Sequence, residues 1–219
     1  MYLKVHPQNP QPKHIHHAVE VLKDGGVIVY PTDTVYGIGC SIFQKQAIER
    51  IYRIKDQHRS KPFSFICSDL SHISEYAKVS NPAFRLMKRL IPGPYTFILP
   101  ASRLKQLPKS VISKRKTVGI RVPDNAISLA LIKELGHPIL SASAMNGSGL
   151  VNDPNLLRES FERSVDLILD GGMSSLELST ILDLTADEPT VIRRGAGEVG
   201  SDIADKNEGS LSHDTDRTT

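Results

Sequence analysis

The sequence predicts one α/β domain in which a twisted, mixed sheet is flanked by helices. Amphipathic segments with helical spacing alternate along the chain with short runs rich in β-branched residues, an order typical of this class. No segment repeats with a period of about 20 to 50 residues, so a repeat architecture is not expected. The chain has 219 residues, of which 39% are apolar, enough to form the core of one domain, which we place at 1–200.

The first predicted helix spans about 12–23. Its apolar residues recur between Ile15 and Leu22 with the spacing of one helical face, and Gly25 and Gly26 follow as a stop signal. The later elements are predicted, in chain order, as a strand in VIVYP, a helix in KQAIERIYRIK, a strand in PFSFICSD, short helices over 70–77 and in NPAFRLMKRLI, strands in YTFILP and TVGIRVP, a helix in DNAISLALIKELG, and strands in ILSAS, LILDGG, STILDLT and PTVIRR.

Local signals place the ends of two of these helices. Asn81 can cap the helix in NPAFRLMKRLI, and Pro82 suits the first turn of that helix. Either Asp124 or Asn125 can cap the helix in DNAISLALIKELG, which Gly136 is expected to end.

The last segment, 201–219, is predicted to be a disordered tail, because it contains too few apolar residues to pack. Several acidic residues lie in this segment, so the domain before it is more basic than the net charge of +3 suggests. A basic body favours an anionic partner such as a nucleotide or nucleic acid, although a mildly basic surface can also be merely solvated.

Composition argues against several classes of protein. Cys40 and Cys67 are too few for a zinc cluster or a disulfide framework, which favours a reduced, cytoplasmic protein. The N-terminal residues are polar, and nowhere do 18 apolar residues run together, so secretion and membrane insertion are not expected.

Polar motifs gather where the predicted strands end, which is where α/β sheets commonly bind ligands. Hydroxyls and glycines in these motifs suit close approach of a ligand to the backbone, and Lys55, Arg121 and Arg193 can bind carboxylate or phosphate. The motifs are PTDTVYGIG, KDQHRSKPF, TVGIRVP, SASAMNGSG, STILDLT and VIRRG. A purely structural interpretation is also open, with Thr34 and Tyr36 as turn and core residues and the cations as solvated surface charges.

These motifs, together with PGPYTFIL and in this order, resemble the YrdC/YciO family of threonylcarbamoyl-AMP synthases and their relatives. The resemblance covers about 5–198, and HPQNPQ with GGVIVYPTDTVYGIGC is most similar to the YciO branch. It implies a YrdC-like fold around a basic, concave cavity.

The activity that the resemblance implies is a nucleotidyltransferase that makes L-threonylcarbamoyladenylate and pyrophosphate from L-threonine, bicarbonate and ATP. ATP would bind with Mg²⁺ as a substrate complex, without a metal held by the protein, a tightly bound cofactor or a P-loop. The product would serve threonylcarbamoyladenosine modification of tRNA. The implied partners are therefore tRNA or double-stranded RNA and downstream tRNA-modification proteins.

The resemblance also implies binding roles, and no catalytic residue beyond binding and charge stabilisation. Thr34 would hold the threonine hydroxyl, and Arg121 would bind its carboxylate, for which a guanidinium fork is suited. The residues implied around threonine are Thr34, Tyr36, Arg121, Ser141 and Ser179. Those implied around the nucleotide are Lys55, Thr117, Ser143, Asn152 and Arg193, with Arg59 and Lys61 as further phosphate-facing candidates.

Three departures from the family pattern argue against ordinary synthase turnover, and the loss of the signature arginine favours a second hypothesis. Gln57 replaces a signature arginine that contacts ATP, Ile66 replaces a histidine beside threonine, and Met145 is inserted in the SAN triplet of the family pattern. The alternative is an RNA-binding protein of the same fold with little or no synthase activity. Its candidate RNA contacts are Lys109, Lys114, Arg115 and Lys116, although no aromatic residue is interleaved to stack on bases and the segment can equally be a plain basic loop.

Overall fold

A ten-stranded mixed sheet forms the centre of the fold, and a two-stranded hairpin lies beside it. The structure is a computed structural model that describes residues 1–57, 62–102, 107–147, 149–200 and 203–205. The strands within these ranges are β1 (Tyr2–Lys4), β2 (Ile28–Tyr30), β3 (Gly37–Ser41), β4 (Ser64–Ile66), β5 (Tyr95–Pro100), β6 (Thr117–Arg121), β7 (Ile139–Ser143), β8 (Met145–Asn146), β9 (Gly149–Leu150), β10 (Leu167–Asp170), β11 (Thr180–Asp183) and β12 (Thr190–Arg193).

The helices connect these strands and cover the sheet. They are α1 (Pro12–Lys23), α2 (Lys45–Ile54), α3 (Leu70–Ser74), α4 (Asn81–Leu90), α5 (Ala126–Leu135) and α6 (Pro154–Phe161), and one 3₁₀ turn spans Lys109–Val111. None of the helices in the described ranges is long and apolar enough to cross a bilayer.

The order of the large sheet is β1-β10-β2-β3-β7-β4-β6-β5-β11-β12. Parallel pairs join β1 with β10, β10 with β2, β4 with β6, and β5 with β11, whereas the other neighbours are antiparallel. The predicted α/β fold with a mixed sheet flanked by helices is therefore confirmed.

Alternating residues divide the core into two clusters on opposite faces of the sheet. Val27 and Val29 belong to the cluster that α2, α3, α4 and α6 cover, whereas Ile28 and Tyr30 belong to the cluster under α1 and α5. The second cluster reaches across the sheet only as far as Ile66 on β4. Beyond Ile66, the same face of the sheet forms the floor of a cavity.

The helix ends agree with the sequence signals, with one difference. Asn125 rather than Asp124 caps α5, through a 3.0 Å bond from the backbone N–H of Ser128, and Gly136 ends the helix with a left-handed φ of 76°. For α4 the capping side chain is Ser80 rather than the predicted Asn81, because Asn81 already has helical geometry and Pro82 follows it in the first turn.

Several short elements were not predicted. β1 contains only three residues and pairs with β10, and β3 carries Gly37 and Gly39, which have low intrinsic strand preference. These segments become strands because long-range partners satisfy their backbone groups. The sequence analysis also did not predict α6 or the β8–β9 hairpin.

The segment 203–205 lies against β12, where the backbone N–H of Val191 donates to the Ala204 carbonyl at 2.9 Å. Ile203 is buried, and Asp205 accepts from Arg194 at 3.0 Å. The disordered tail predicted over 201–219 stays a prediction for 201–202 and 206–219, which lie outside the described residues.

Candidate functional site

One row of side chains across five neighbouring strands forms the floor of the cavity. Backbone pairing aligns Ile66 on β4 with Arg121 on β6, Arg121 with Thr96 on β5, Thr96 with Ile181 on β11, and Ile181 with Arg193 on β12. Residues paired in this way point to the same face of a sheet, and all five line the cavity. The register of the sheet therefore brings together two arginines that are far apart in sequence.

A bulge in β12 places Arg193 in this row. Leu182 pairs with Val191, but the next pair is Ile181 with Arg193, so Ile192 is an extra residue on β12. Because strand side chains alternate between faces, Arg193 would point to the same face as buried Val191 in a regular strand. The bulge turns Arg193 to the cavity face instead.

Arg121 is the most buried cation of the site, with 8% of its surface exposed. Its Nη1 donates to Thr34 Oγ1 at 2.7 Å, and its Nη2 forms an ion pair with Asp33 Oδ1. Burial lowers the pKa of Arg121, and the Asp33 carboxylate opposes this shift. Arg121 Nε and Asp33 Oδ2 are buried and have no hydrogen-bond partner within the described structure, which is uncommon for polar groups in protein interiors.

Tyr30 and Ser141 form a second polar contact at the cavity wall. Tyr30 Oη donates to Ser141 Oγ at 2.7 Å, although 111 residues separate the two side chains. The Tyr30 ring lies over the glycines of β3, where a Cβ on Gly37 or Gly39 would come within 2.8 Å of the ring. These two glycines therefore make room for the ring that orients Ser141.

Ser179, directly before β11, links Thr96 with Arg193. Thr96 Oγ1 and Ser179 Oγ are 2.8 Å apart, and Arg193 Nη2 donates to the Ser179 carbonyl at 2.7 Å. Burial lowers the pKa of Arg193, and the positive charge of Arg121 lowers it further. Protein acceptors thus hold both guanidinium groups in place on the cavity wall.

Lys55, which follows α2, reaches the opposite wall. Its Nζ donates to the backbone carbonyl of Ser143 at 2.7 Å, and burial lowers the pKa of Lys55. Gln57 and Met145 line the same side of the cavity. These two departures from the family pattern therefore line the same cavity as the three cations.

The cavity has a volume of about 280 Å³ and carries net positive charge. Lys55, Arg121 and Arg193 line it, and no acidic residue does so within the part of the chain that the structure describes. Such a wall attracts anions, and the mixture of guanidinium, ammonium and hydroxyl groups suits carboxylate and phosphate.

The predicted site residues fall into two groups. Six of them line the cavity, namely Lys55, Arg121, Ser141, Ser143, Ser179 and Arg193. Thr34 is 1% exposed and lies behind Arg121 rather than on the wall, although its hydroxyl contacts the guanidinium. Tyr36 is buried, donates to the Gly172 carbonyl at 2.6 Å and accepts from the Gly171 N–H at 3.0 Å.

Other predicted residues lie away from the cavity wall. Thr117 begins β6 opposite Pro100, and its Oγ1 is 2.6 Å from Ser113 Oγ. Asn152 donates to the Ser174 carbonyl at 3.3 Å. Arg59 and Lys61, the further phosphate-facing candidates, lie outside the described residues. The four basic residues proposed to face RNA are exposed, namely Lys109, Lys114, Arg115 and Lys116.

Sequence reasoning missed several residues of the site, and four of them bear on its geometry. Tyr30 and Thr96 lie inside apolar strand sequences, where a hydroxyl-bearing side chain gives no local functional signal. Ile181 became visible as part of the floor only through its register with Thr96. Asp33 lies within PTDTVYGIG, and a carboxylate next to Thr34 could have suggested a partner for an arginine.

Sequence comparison places the chain among known proteins. Residues 20–195 match the Sua5/YciO/YrdC family model, whose description is "telomere recombination". The chain is 47% identical to an uncharacterised protein of Haemophilus influenzae over 90% of this chain and 96% of that protein. It is also 47% identical to the uncharacterised protein YciO of Escherichia coli K12, over 90% of this chain and 97% of YciO.

A more distant relative carries a functional name. The chain is 30% identical to a threonylcarbamoyl-AMP synthase of Pyrococcus abyssi, over 81% of this chain but only 53% of the synthase. The chain thus spans about half the length of that enzyme.

Solved structures agree with these relationships. The crystal structure of E. coli YciO superposes with a TM-score of 0.85 at 45% identity, covering 90% of this chain and 97% of YciO. P. abyssi Sua5 complexed with L-threonine superposes with a TM-score of 0.82 at 29% identity, covering 89% of this chain and 57% of Sua5. The register, the cavity and these similarities together lead to one conclusion: the chain belongs to the Sua5/YciO/YrdC family.

Proposed function

We propose that the protein is a nucleotidyltransferase of the threonylcarbamoyl-AMP synthase type. The observation that carries this proposal is the row in which Arg121 and Arg193 share one cavity with Lys55. Its substrates would be L-threonine, bicarbonate and ATP, and its products L-threonylcarbamoyladenylate and pyrophosphate. Distant relatives bear the synthase name, and one relative is solved with L-threonine bound, which supports the proposal.

The amino-acid end of the cavity would lie at Arg121. The guanidinium is buried and held from behind by Thr34 and Asp33, so it is fixed before a ligand arrives. It would bind the substrate carboxylate. Ser141 and Ser179, which are themselves hydrogen-bonded to neighbours, would contact the rest of the amino acid.

The nucleotide end would lie between Lys55 and Arg193. A backbone carbonyl accepts a hydrogen bond from each of these two side chains. Because both charged groups are already held in place, ligand binding loses less side-chain entropy. They would offset the negative charge that develops on the phosphates. Mg²⁺ would enter with ATP, since the described residues include no cluster of metal-ligating side chains and no acidic residue on this wall.

The reaction asks for positioning rather than for a nucleophilic side chain. The amine of threonine forms a C–N bond with bicarbonate, and water leaves to give a carbamate. A carbamate oxygen then bonds to the α-phosphorus of ATP while the bond from that phosphorus to the bridging oxygen of the β-phosphate breaks, which releases pyrophosphate. Fixed cations at both ends of the cavity suit this chemistry. The product would feed tRNA modification together with downstream proteins.

The test is pyrophosphate release by the purified protein with ATP, Mg²⁺ and bicarbonate, measured with and without L-threonine. Threonine-dependent release is the expected result, with stoichiometric threonylcarbamoyl-AMP detected by mass spectrometry. Pyrophosphate release that does not depend on any amino acid would contradict the proposal.

A second candidate is an RNA-binding protein of the same fold with little or no synthase activity. The observation that favours it is Gln57, a neutral side chain on the cavity wall where the family pattern has an arginine. Lys109, Lys114, Arg115 and Lys116 are exposed near the start of β6 and would contact phosphates. Salt-sensitive binding of tRNA or duplex RNA without synthase activity would favour this candidate, and replacing these four residues by alanine should reduce the salt slope.

A further inference from the structure

Ser64, the first residue of β4, lines the cavity and is half-buried. Its hydroxyl has no hydrogen-bond partner within the part of the chain that the structure describes. Gly119 on β6 makes room for this side chain, because a Cβ at Gly119 would lie 2.6 Å from Ser64 Oγ. The Ser64 hydroxyl is therefore free to bond a ligand in the cavity.

Ser141 lies beside Ser64 and offers a second free proton. It is the register partner of Ser64 on the antiparallel strand β7, and it also lines the cavity. Tyr30 Oη donates its only proton to Ser141 Oγ at 2.7 Å, so the proton of Ser141 stays available for an acceptor in the cavity. Paired side chains of this kind have Cβ atoms about 4.5–5.5 Å apart, so both hydroxyls can reach one ligand group.

The row that holds Ser64 and Ser141 lies between two cationic positions. Arg121 is paired with the residue that follows Ser64 by two positions on β4. Lys55 Nζ donates at 2.7 Å to the carbonyl of Ser143, two positions after Ser141 on β7. Because β4 and β7 are antiparallel, these two positions lie on opposite sides of the serine row.

The order of these rows matches the order of groups in the proposed intermediate. Its carbamate lies between the amino-acid carboxylate, proposed at Arg121, and the α-phosphate, proposed near Lys55. No acidic residue lines the cavity within the described ranges, so the ligand supplies acceptors and the two hydroxyls act as donors. Neutral donors suit a carbamate, because they hold it in place without a cation that would neutralise its attacking oxygen.

From these observations we infer that Ser64 and Ser141 together bind the group that enters as bicarbonate and becomes the carbamate. Ser64 is then a substrate-binding residue outside the motifs that the sequence singles out. The inference rests on the proposed function and adds to it the place of the one-carbon substrate.

The test is Ser64→Ala in threonine-dependent pyrophosphate release at varied bicarbonate. We expect the bicarbonate concentration for half-maximal release to rise about tenfold, the loss of one hydrogen bond to a charged group, while the threonine and ATP requirements stay within about twofold. Ser71→Ala, the same change at an exposed position of α3, is the control and should behave like wild type. A rise in the bicarbonate requirement below about threefold, or an equal rise in the threonine requirement, overturns the inference and leaves the proposed function in place.

A binding measurement decides the inference if the wild-type protein shows no threonine-dependent release, in which case the proposed function fails. The probe is N-(methoxycarbonyl)-L-threonine, which carries an uncharged carbamate in place of the amine. Calorimetric titration in the absence of ATP should show binding to Ser64→Ala that is weaker than to wild type by about threefold or more, the loss of one neutral hydrogen bond. A smaller difference, or no binding to the wild-type protein, overturns the inference.

Discussion

Arg121 Nη1 donates a 2.7 Å hydrogen bond to Thr34 Oγ1, across 87 residues of sequence. The bond places Thr34 behind the guanidinium, so the threonine of PTDTVYGIG orients the arginine of TVGIRVP. The family resemblance implies that Thr34 contacts the substrate. In the structure its hydroxyl instead contacts Arg121, and Thr34 does not line the cavity. Substitutions of Arg121 therefore test the proposed amino-acid site directly.

Replacing Arg121 should raise the threonine requirement. In Arg121→Ala we expect the threonine concentration for half-maximal pyrophosphate release to rise at least about tenfold, the loss of one charged hydrogen bond. The ATP requirement should change much less, because Arg121 lies at the other end of the proposed site. Arg121→Lys keeps the charge without the fork and should fall between wild type and Arg121→Ala. An unchanged threonine dependence in Arg121→Ala would remove Arg121 from the carboxylate site.

The ion pair between Asp33 and Arg121 should contribute to stability. In Asp33→Asn we expect the free energy of unfolding to fall by about 2 kcal/mol or more, because a buried guanidinium loses its counter-charge. Chemical denaturation measures this difference. The control is Asp24→Asn, the same chemical change at an exposed position, which should stay within about 0.5 kcal/mol of wild type. Equal stabilities of the two variants would argue against the buried pair.

Arg193 and its neighbour Arg194 form a natural matched pair. Arg193 faces the cavity through the bulge in β12, whereas Arg194 is exposed and pairs with Asp205. We expect Arg193→Ala to raise the ATP concentration for half-maximal pyrophosphate release by about tenfold, and Arg194→Ala to leave it within about twofold. Similar effects of the two substitutions would mean that the bulge does not select the nucleotide contact.

A positive charge restored at the cavity wall should improve ATP binding. In Gln57→Arg, we expect the apparent affinity for ATP to rise by several-fold, since the new guanidinium would lie on the wall that Lys55 shares. Gln57→Met is the control, because it keeps a long side chain without charge. If both variants bind ATP with the affinity of the wild-type protein, the triphosphate does not contact this part of the cavity wall.

Gly37 should be required for the contact between Tyr30 and Ser141. A Cβ at Gly37 would lie 2.8 Å from the Tyr30 ring and 3.1 Å from Ser141 Oγ. We expect Gly37→Ala to lower the free energy of unfolding by about 1–3 kcal/mol through overpacking. Gly147→Ala, where no atom lies within 4 Å of the added Cβ, should have little effect. Denaturant titration of both variants tests this difference, and equal values would contradict the packing described.

Much of the fold could be predicted because local sequence patterns determine many of its helices and strands. The spacing from Ile15 to Leu22 gave α1 with its observed bounds, and Gly136 ended α5 as its freedom at positive φ allows. Elements that depend on distant partners escaped, since β1 and β3 form where β10, β2 and β7 offer their backbone groups. The family resemblance identified six residues that line the cavity, yet it also implied Thr117 and Asn152, which lie elsewhere.

The sequence by itself determined the helices with clear periodicity, the mixed α/β class and the motifs that mark the family. Only the tertiary structure decided which side chains share a surface. Strand register across five strands aligned Arg121 with Arg193, and one extra residue in β12 turned Arg193 toward the cavity. The physical reason is that backbone pairing between distant segments sets register, and a shift of one residue reverses every side chain. Local sequence carries no signal for that choice.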